Sequence, residues 1–137
     1  MPERIDLIID QLRQQAIRVA PFSRAPYSGR QEACILLLSD GSWIPGVRVE
    51  SASFSLTIPP ILNALTTATA LGRDDVLSIV QSAPFREEDQ TFLRTNTGHG
   101  FTQLSDDVFV SGDPERFPAP GQRLSPFQAG APPDSPR

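Results

Sequence analysis

The sequence predicts an α/β domain, a mixed sheet with helices layered on it. Three observations predict it. An amphipathic helical pattern occupies the first twenty residues, Asp40-Gly41 marks a hairpin between two apolar runs, and helix and strand patterns then take turns to about residue 110. The 137 residues suit one domain. A content of 39% hydrophobic and 20% charged residues supplies an ordinary core and an ordinary surface.

Ile5, Ile8, Ile9, Leu12, Ala16 and Val19 recur at helical spacing between charged residues and glutamines, which predicts a helix over 3–19 stopped by Pro21. Residues 32–39 are nearly continuous in apolar residues, as in a strand covered on both faces. Asp40-Gly41 is a hairpin turn signal. Residues 42–50 then return as a strand with Trp43, Val47 and Val49 as apolar partners and Gly46 as a candidate bulge.

A second helix is expected from Thr57-Ile58-Pro59-Pro60, with Thr57 as N-cap and proline in a first turn where its missing N–H has no helical partner. Ile61, Leu62, Leu65, Ala68 and Leu71 form its apolar stripe, and Gly72 ends it. Residues 76–83 predict a third strand. Pro84 opens a third helix whose first turn holds Glu87, Glu88 and Asp89, where the helix dipole favours acids, and which runs to about Arg94. Strands around 101–104 and 108–110 bring the sheet to five.

After Gly112 the composition changes, and seven of the 14 prolines lie in the last 26 residues. This divides the chain into a folded domain over 1–112 and a Pro-rich tail over 113–137, expected to be partly disordered. Phe117, Leu124 and Phe127 give that tail the means to dock locally or on a neighbouring subunit.

Composition excludes several chemistries. All 12 basic residues are arginine, so a Schiff-base lysine and a P-loop lysine are both excluded. The formal net charge of −4 without a basic cluster argues against a nucleic-acid partner. Cys34 is the single cysteine, lies in the apolar run 33–38 and reads as a small buried hydrophobe. His99, the single histidine, sits between glycines in a loop. One Cys and one His fall short of the four N or S ligands of a structural zinc site. The charged start of the chain does not read as a secretory signal, and no apolar run approaches the ~18 residues of a membrane span. A cytoplasmic protein without a membrane partner is expected.

Residues 25–65 read APYSGRQEACILLLSDGSWIPGVRVESASFSLTIPPILNAL. This stretch resembles the small homotetrameric cytidine deaminases. Their pattern runs APYS, an apolar strand, a DG turn, a strand end G-x-N-x-E-N-A-[AS]-[YF], and a C-A-E helix start. Here Ala25-Pro26-Tyr27-Ser28, Asp40-Gly41 and Gly46 to Phe54 take those places, and the register holds without a gap through Ala64-Leu65. The resemblance implies a three-layer cytidine deaminase-like fold, a mixed five-stranded sheet flanked by helices.

The same register implies that the chemistry is gone. Zinc deaminases bind the metal through one ligand at the first helix start and two cysteines of P-C-x-x-C, and a glutamate two residues after the first ligand shuttles protons. Pro59 stands at the first ligand position and Ile61 at the proton-shuttle position. Phe85 and Glu88 stand at the two cysteine positions. Glu50 keeps the glutamate of N-x-E, which in the family holds the ribose together with the asparagine; Arg48 replaces that asparagine, and Arg30 replaces the aromatic that stacks on the pyrimidine. Neither a catalytic set nor a metal or other cofactor is therefore expected, only a remnant pocket of Arg30, Arg48, Glu50, Pro59, Ile61, Phe85 and Glu88.

Three functional readings follow. The first is an inactive homologue serving as a structural or interaction scaffold, as a homo-oligomer (dimer or tetramer) or together with an active deaminase. The second is a module that binds a nucleoside, a nucleotide or a small anion in the remnant pocket. The third is a pyrimidine nucleoside deaminase with a non-standard site, for which Glu50, Glu88, Cys34 and His99 are the raw materials.

Overall fold

The computed structural model describes residues 2–96, 100–112, 116–119 and 122–128. The opening helix α1 (Pro2–Val19) follows the apolar spacing: Ile8, Ile9, Leu12 and Ala16 are buried, while Leu7 and Ile17 face solvent. Next come β1 (Ala33–Leu38), β2 (Ser42–Val47), α2 (Pro60–Ala70), β3 (Val76–Gln81) and α3 (Glu87–Asn96). The chain continues with β4 (Phe101–Ser105), β5 (Val108–Ser111) and β6 (Ser125–Pro126).

The expected α/β layering is observed, in a sheet of six strands with the order β4-β5-β3-β1-β2-β6. β6 is the strand that sequence patterning missed. It is two residues long, contains Pro126 and pairs in parallel with Ser42 and Trp43 of β2; all other neighbours are antiparallel. A two-residue strand carries no periodicity to read.

All six residues of β1 are buried, because both faces of the sheet are covered. Cys34, Leu36 and Leu38 join Ile44, Ile61, Leu65, Phe85 and Phe109 beneath α2 and α3. Ile35 and Leu37 join Leu12, Ala16, Trp43, Leu77 and Phe117 beneath α1. Phe117 and Leu124 pack on the α1 side and Phe127 on the α2 side, so parts of the Pro-rich segment rest on the domain itself.

Three local expectations are corrected. Gly46 forms no bulge, since the β1–β2 register runs unbroken from Ala33↔Val47 to Leu37↔Trp43. Its missing side chain serves a close approach instead: a Cβ there would lie 2.5 Å from Pro60 O and from Ala64 N. Thr57 does not cap α2. It closes a 3₁₀ turn over Phe54–Leu56, its Oγ1 accepts the Ser51 N–H at 3.1 Å, and Pro59 takes the cap position with no side-chain hydrogen bond. β2 ends at Val47 rather than residue 50, because Val49 pairs only through single bridges to Arg24 and Ile58. No helix among the described residues is long and apolar enough to cross a membrane.

Candidate functional site

The residues singled out by sequence converge where β1 begins, β2 ends, and α2 and α3 begin. They separate into two groups. The first is charged. Arg48 Nε donates to Glu50 Oε2 at 2.7 Å, and the two side chains are only 7% and 3% exposed. Glu50 Oε1 accepts the backbone N–H groups of Tyr27 at 2.9 Å and Ser28 at 3.0 Å, and Oε2 also accepts the Ser28 hydroxyl. The Ser28 hydroxyl first, and Arg48 second, hold this carboxyl down to a pKa of about 2. A carboxylate with four donors stays ionised without a surface position. Arg30 is exposed, and its backbone N–H donates to Ser28 Oγ at 3.0 Å.

The second group is apolar. Pro59 and Pro60 begin α2, the Pro59 carbonyl accepting the Asn63 N–H at 3.1 Å. Ile61 is fully buried, and Phe85 is 8% exposed in the same apolar cluster. Phe85 packs on Phe109 with ring centroids 4.9 Å apart and planes tilted by 57°. Glu88 is exposed on the first turn of α3. The fold therefore joins Arg48 to Glu50 and places Ile61 in one cluster with Phe85, while Arg30 and Glu88 face solvent. His99 lies outside the described residues.

At the positions the resemblance assigns to metal and proton transfer, Pro59, Ile61 and Phe85 offer no side-chain donor atom, and Glu88 offers one carboxylate. Among the described residues no three His, Cys, Asp or Glu side chains converge. Cys34 is fully buried, and burial first and Asp89 second push its thiol up, which disfavours the thiolate that a metal or an electrophile would need. This donor set does not fit a zinc ion, which takes at least three protein ligands.

Sequence reasoning missed the polar supports of this end. Glu32 is buried and pairs with Arg86, with Nη2 to Oε2 at 2.8 Å, tying the start of β1 to the start of α3. Gln81 donates Nε2 to Ala83 O at 2.9 Å and fixes the turn into α3, while its Oε1 has no partner. Asp89 is 2% exposed; its Oδ2 accepts the Arg86 N–H at 2.9 Å, and its Oδ1 has no partner. Burial raises the Asp89 pKa. A signal was present in the spacing: Asp89 and Leu93 lie four residues apart in α3, which puts Asp89 on the face of the buried Leu93.

Comparison with known proteins places this end in context. A family model described as the cytidine and deoxycytidylate deaminase zinc-binding region matches residues 2–97. The cytidine deaminase of Halalkalibacterium halodurans is 40% identical over 68 residues, covering 50% of this chain and 52% of the relative. That of Klebsiella pneumoniae subsp. pneumoniae is 38% identical over 65 residues, covering 47% of this chain and 22% of the relative. The chain thus matches about half the length of the first relative and about a fifth of the second. Two solved structures share the fold. The cytidine deaminase of Mycobacterium leprae matches with a TM-score of 0.60 at 23% identity, over 72% of this chain and 89% of that one. The cytidine deaminase of Burkholderia pseudomallei matches with a TM-score of 0.59 at 23% identity, over 74% and 91%. On the match over residues 2–97, this chain belongs to the family defined by the zinc-binding region of cytidine and deoxycytidylate deaminases.

Proposed function

We propose that this chain is a non-catalytic member of its family, a pseudoenzyme that serves as an oligomeric structural or interaction scaffold. Its partners in this reading are further copies of itself or an active deaminase. One observation carries the proposal: Ile61 and Phe85 are buried in a single apolar cluster at the positions where the resemblance puts the proton shuttle and a zinc thiolate. Zinc deamination needs a metal-activated water and a carboxylate that moves its proton. Neither an isoleucine nor a phenylalanine supplies a lone pair, and their packing fills space that water would need.

Two further features support the scaffold reading. Both oxygens of Glu50 are already engaged by Tyr27, Ser28 and Arg48, which leaves this carboxylate little capacity for a ligand and weighs against a nucleoside-binding remnant. At the same end, Phe22, Tyr27, Phe54 and Leu56 are 75%, 67%, 81% and 68% exposed on two loops that both pair with Val49 or Glu50. Large apolar side chains held exposed on pinned loops are the mark of an interaction surface.

Three measurements on the purified chain test the proposal. Metal analysis is expected to find no stoichiometric zinc. Incubation with cytidine, with and without added zinc, is expected to leave the ultraviolet absorbance unchanged. Light scattering is expected to give a mass that is a multiple of the chain's. Bound zinc or accumulating uridine would overturn the loss of catalysis, and a stable monomer at tens of micromolar would overturn the scaffold built from copies of this chain.

A further inference from the structure

The outer edge of β2 is closed residue by residue. Outward backbone groups fall at every second position, on 41, 43, 45 and 47. Val47 donates its N–H to Asn63 Oδ1 at 2.8 Å, so α2 closes that position. Pro45 has no N–H to offer. The remaining two positions are closed by residues 122–128: Ser125 N donates to Gly41 O at 3.2 Å, and Phe127 N donates to Trp43 O at 2.9 Å. The segment straddles the edge, with Leu124 packed on the α1 side and Phe127 on the α2 side. Arg73 lies over the Phe127 ring, its guanidinium carbon 5.5 Å from the centroid.

We infer that residues 122–128 are a detachable guard over a strand-docking edge, and that the same segment of a second copy of this chain fits that edge once the guard lifts. The two halves of the edge differ in kind. Positions 45 and 47 are shut by the domain's own proline and by Asn63, whereas positions 41 and 43 depend on a segment with two paired residues. Ser125 and Pro126 are exposed, and Leu124 and Phe127 are half-buried. So slight a hold opens without unfolding the strands beneath it. What then stands free is a pair of backbone positions flanked by an apolar notch on each face. A segment that fits must be extended, must offer N–H groups two residues apart, and must send one apolar side chain to each side. Residues 124–127 have that pattern, and Pro126 leaves no donor at the position between the two N–H groups that face β2. A second copy supplies the identical segment, and exchange conserves every contact.

Trp43, the single tryptophan, reports on the edge, because it is 7% exposed in the cluster that Leu124 covers. The test uses the full chain carrying Leu124→Ser and Phe127→Ser, and a synthetic peptide with the sequence of residues 122–128. The variant is expected to keep its circular dichroism and to shift Trp43 emission to the red. Added peptide should restore the emission, binding the variant at least tenfold more tightly than the wild type, whose edge is occupied; a scrambled peptide should not bind. A tagged variant mixed with untagged wild type at high concentration should retain more of it than tagged wild type does, and the added peptide should abolish the excess, since one copy brings the open edge and the other the segment. A folded variant with unchanged emission, or one that ignores both peptide and wild type, overturns the inference. Should the double variant lose its fold, Phe127→Ala is read in the same way, and loss of fold there too shows that the segment is not detachable.

Discussion

Two neighbouring groups of side chains at one end of the sheet have been kept in opposite ways. Ile61 and Phe85, at the starts of α2 and α3, are held by packing in one apolar cluster. A short step away, Arg48 and Glu50 remain charged with side chains 7% and 3% exposed, because Ser28, Tyr27 and the guanidinium surround the carboxylate with donors. The difference teaches what the fold demands of each place. The helix starts need volume and shape, which Ile61 and Phe85 provide. The strand end needs an anchor for the loop 25–30, which an ion pair with both carboxylate oxygens engaged provides.

The comparison breaks most sharply at Ile61. Placing a carboxylate at this position as Ile61→Asp puts an unpaired charge in a site with no exposure, and should cost about 4 kcal/mol or abolish folding. Ile61→Val, which keeps the chemistry and removes one methylene, should cost about 1 kcal/mol. Urea denaturation of both variants checks the contrast, and a folded aspartate variant of wild-type stability would mean that water and polar partners already reach the site. Phe85→Ala comes next. It removes the ring that packs on Phe109 and should cost about 3 kcal/mol, read from the same denaturation midpoint.

The charged group should respond to pH rather than to volume. The Glu50 pKa lies near 2, below the ordinary value of about 4.5 for a free glutamate, through Ser28 first and Arg48 second. A carboxyl lowered in the folded state stabilises it above its unfolded pKa, and that contribution is lost as pH falls toward the folded pKa. Wild-type stability should therefore decline between about pH 4.5 and pH 2. Asp40, Asp75 and Asp107, also lowered by their partners, add to the decline. Glu50→Gln should lower stability at neutral pH and flatten the curve across that window, as measured by urea midpoints from pH 7 to pH 2. A variant with the wild-type slope would show that the clasp contributes nothing to folding.

Much of this arrangement was legible in the sequence, and the remainder was hidden for physical reasons. The apolar spacing of α1, the continuous run of β1 and the Asp40-Gly41 turn reported their elements directly, since burial imposes period and continuity. Gly46 was visible as a special position, but its role was not: a glycine serves a bulge and a close helix approach equally well, and only the third dimension brings Pro60 O and Ala64 N against it. Thr57 is a sound N-cap by residue type, yet its hydroxyl is taken by the Ser51 N–H six residues back. β6 depends on contacts 82 residues distant in sequence, such as Gln122 with Asp40, and on no pattern of its own. At the candidate site, the residue types at 59, 61, 85 and 88 could be read from register alone. The pairing of Glu50 with Ser28 came from the fold.

Asp89 offers the smallest effect and the most discriminating sign. It belongs to the apolar side of the comparison by position and to the charged side by chemistry, a carboxylate with one oxygen bonded to the Arg86 N–H and the other without a partner. Burial raises its pKa in the folded state. Its slope therefore opposes that of Glu50: the folded state gains stability as pH falls through the raised pKa to the ordinary aspartate value of about 3.9, where both states are protonated. Asp89→Asn removes the buried charge and keeps an acceptor for Arg86. It should raise stability at pH 7 by no more than about 1 kcal/mol, because the amide leaves its own NH₂ unpaired. The advantage over wild type should close as the pH is lowered toward 4. In the Glu50→Gln background the rise from Asp89 should emerge more clearly from the acid limb. If Asp89→Asn instead lowers stability at pH 7 and the deficit closes in acid, the carboxylate is held by donors as Glu50 is, and the division between the two groups fails at this residue.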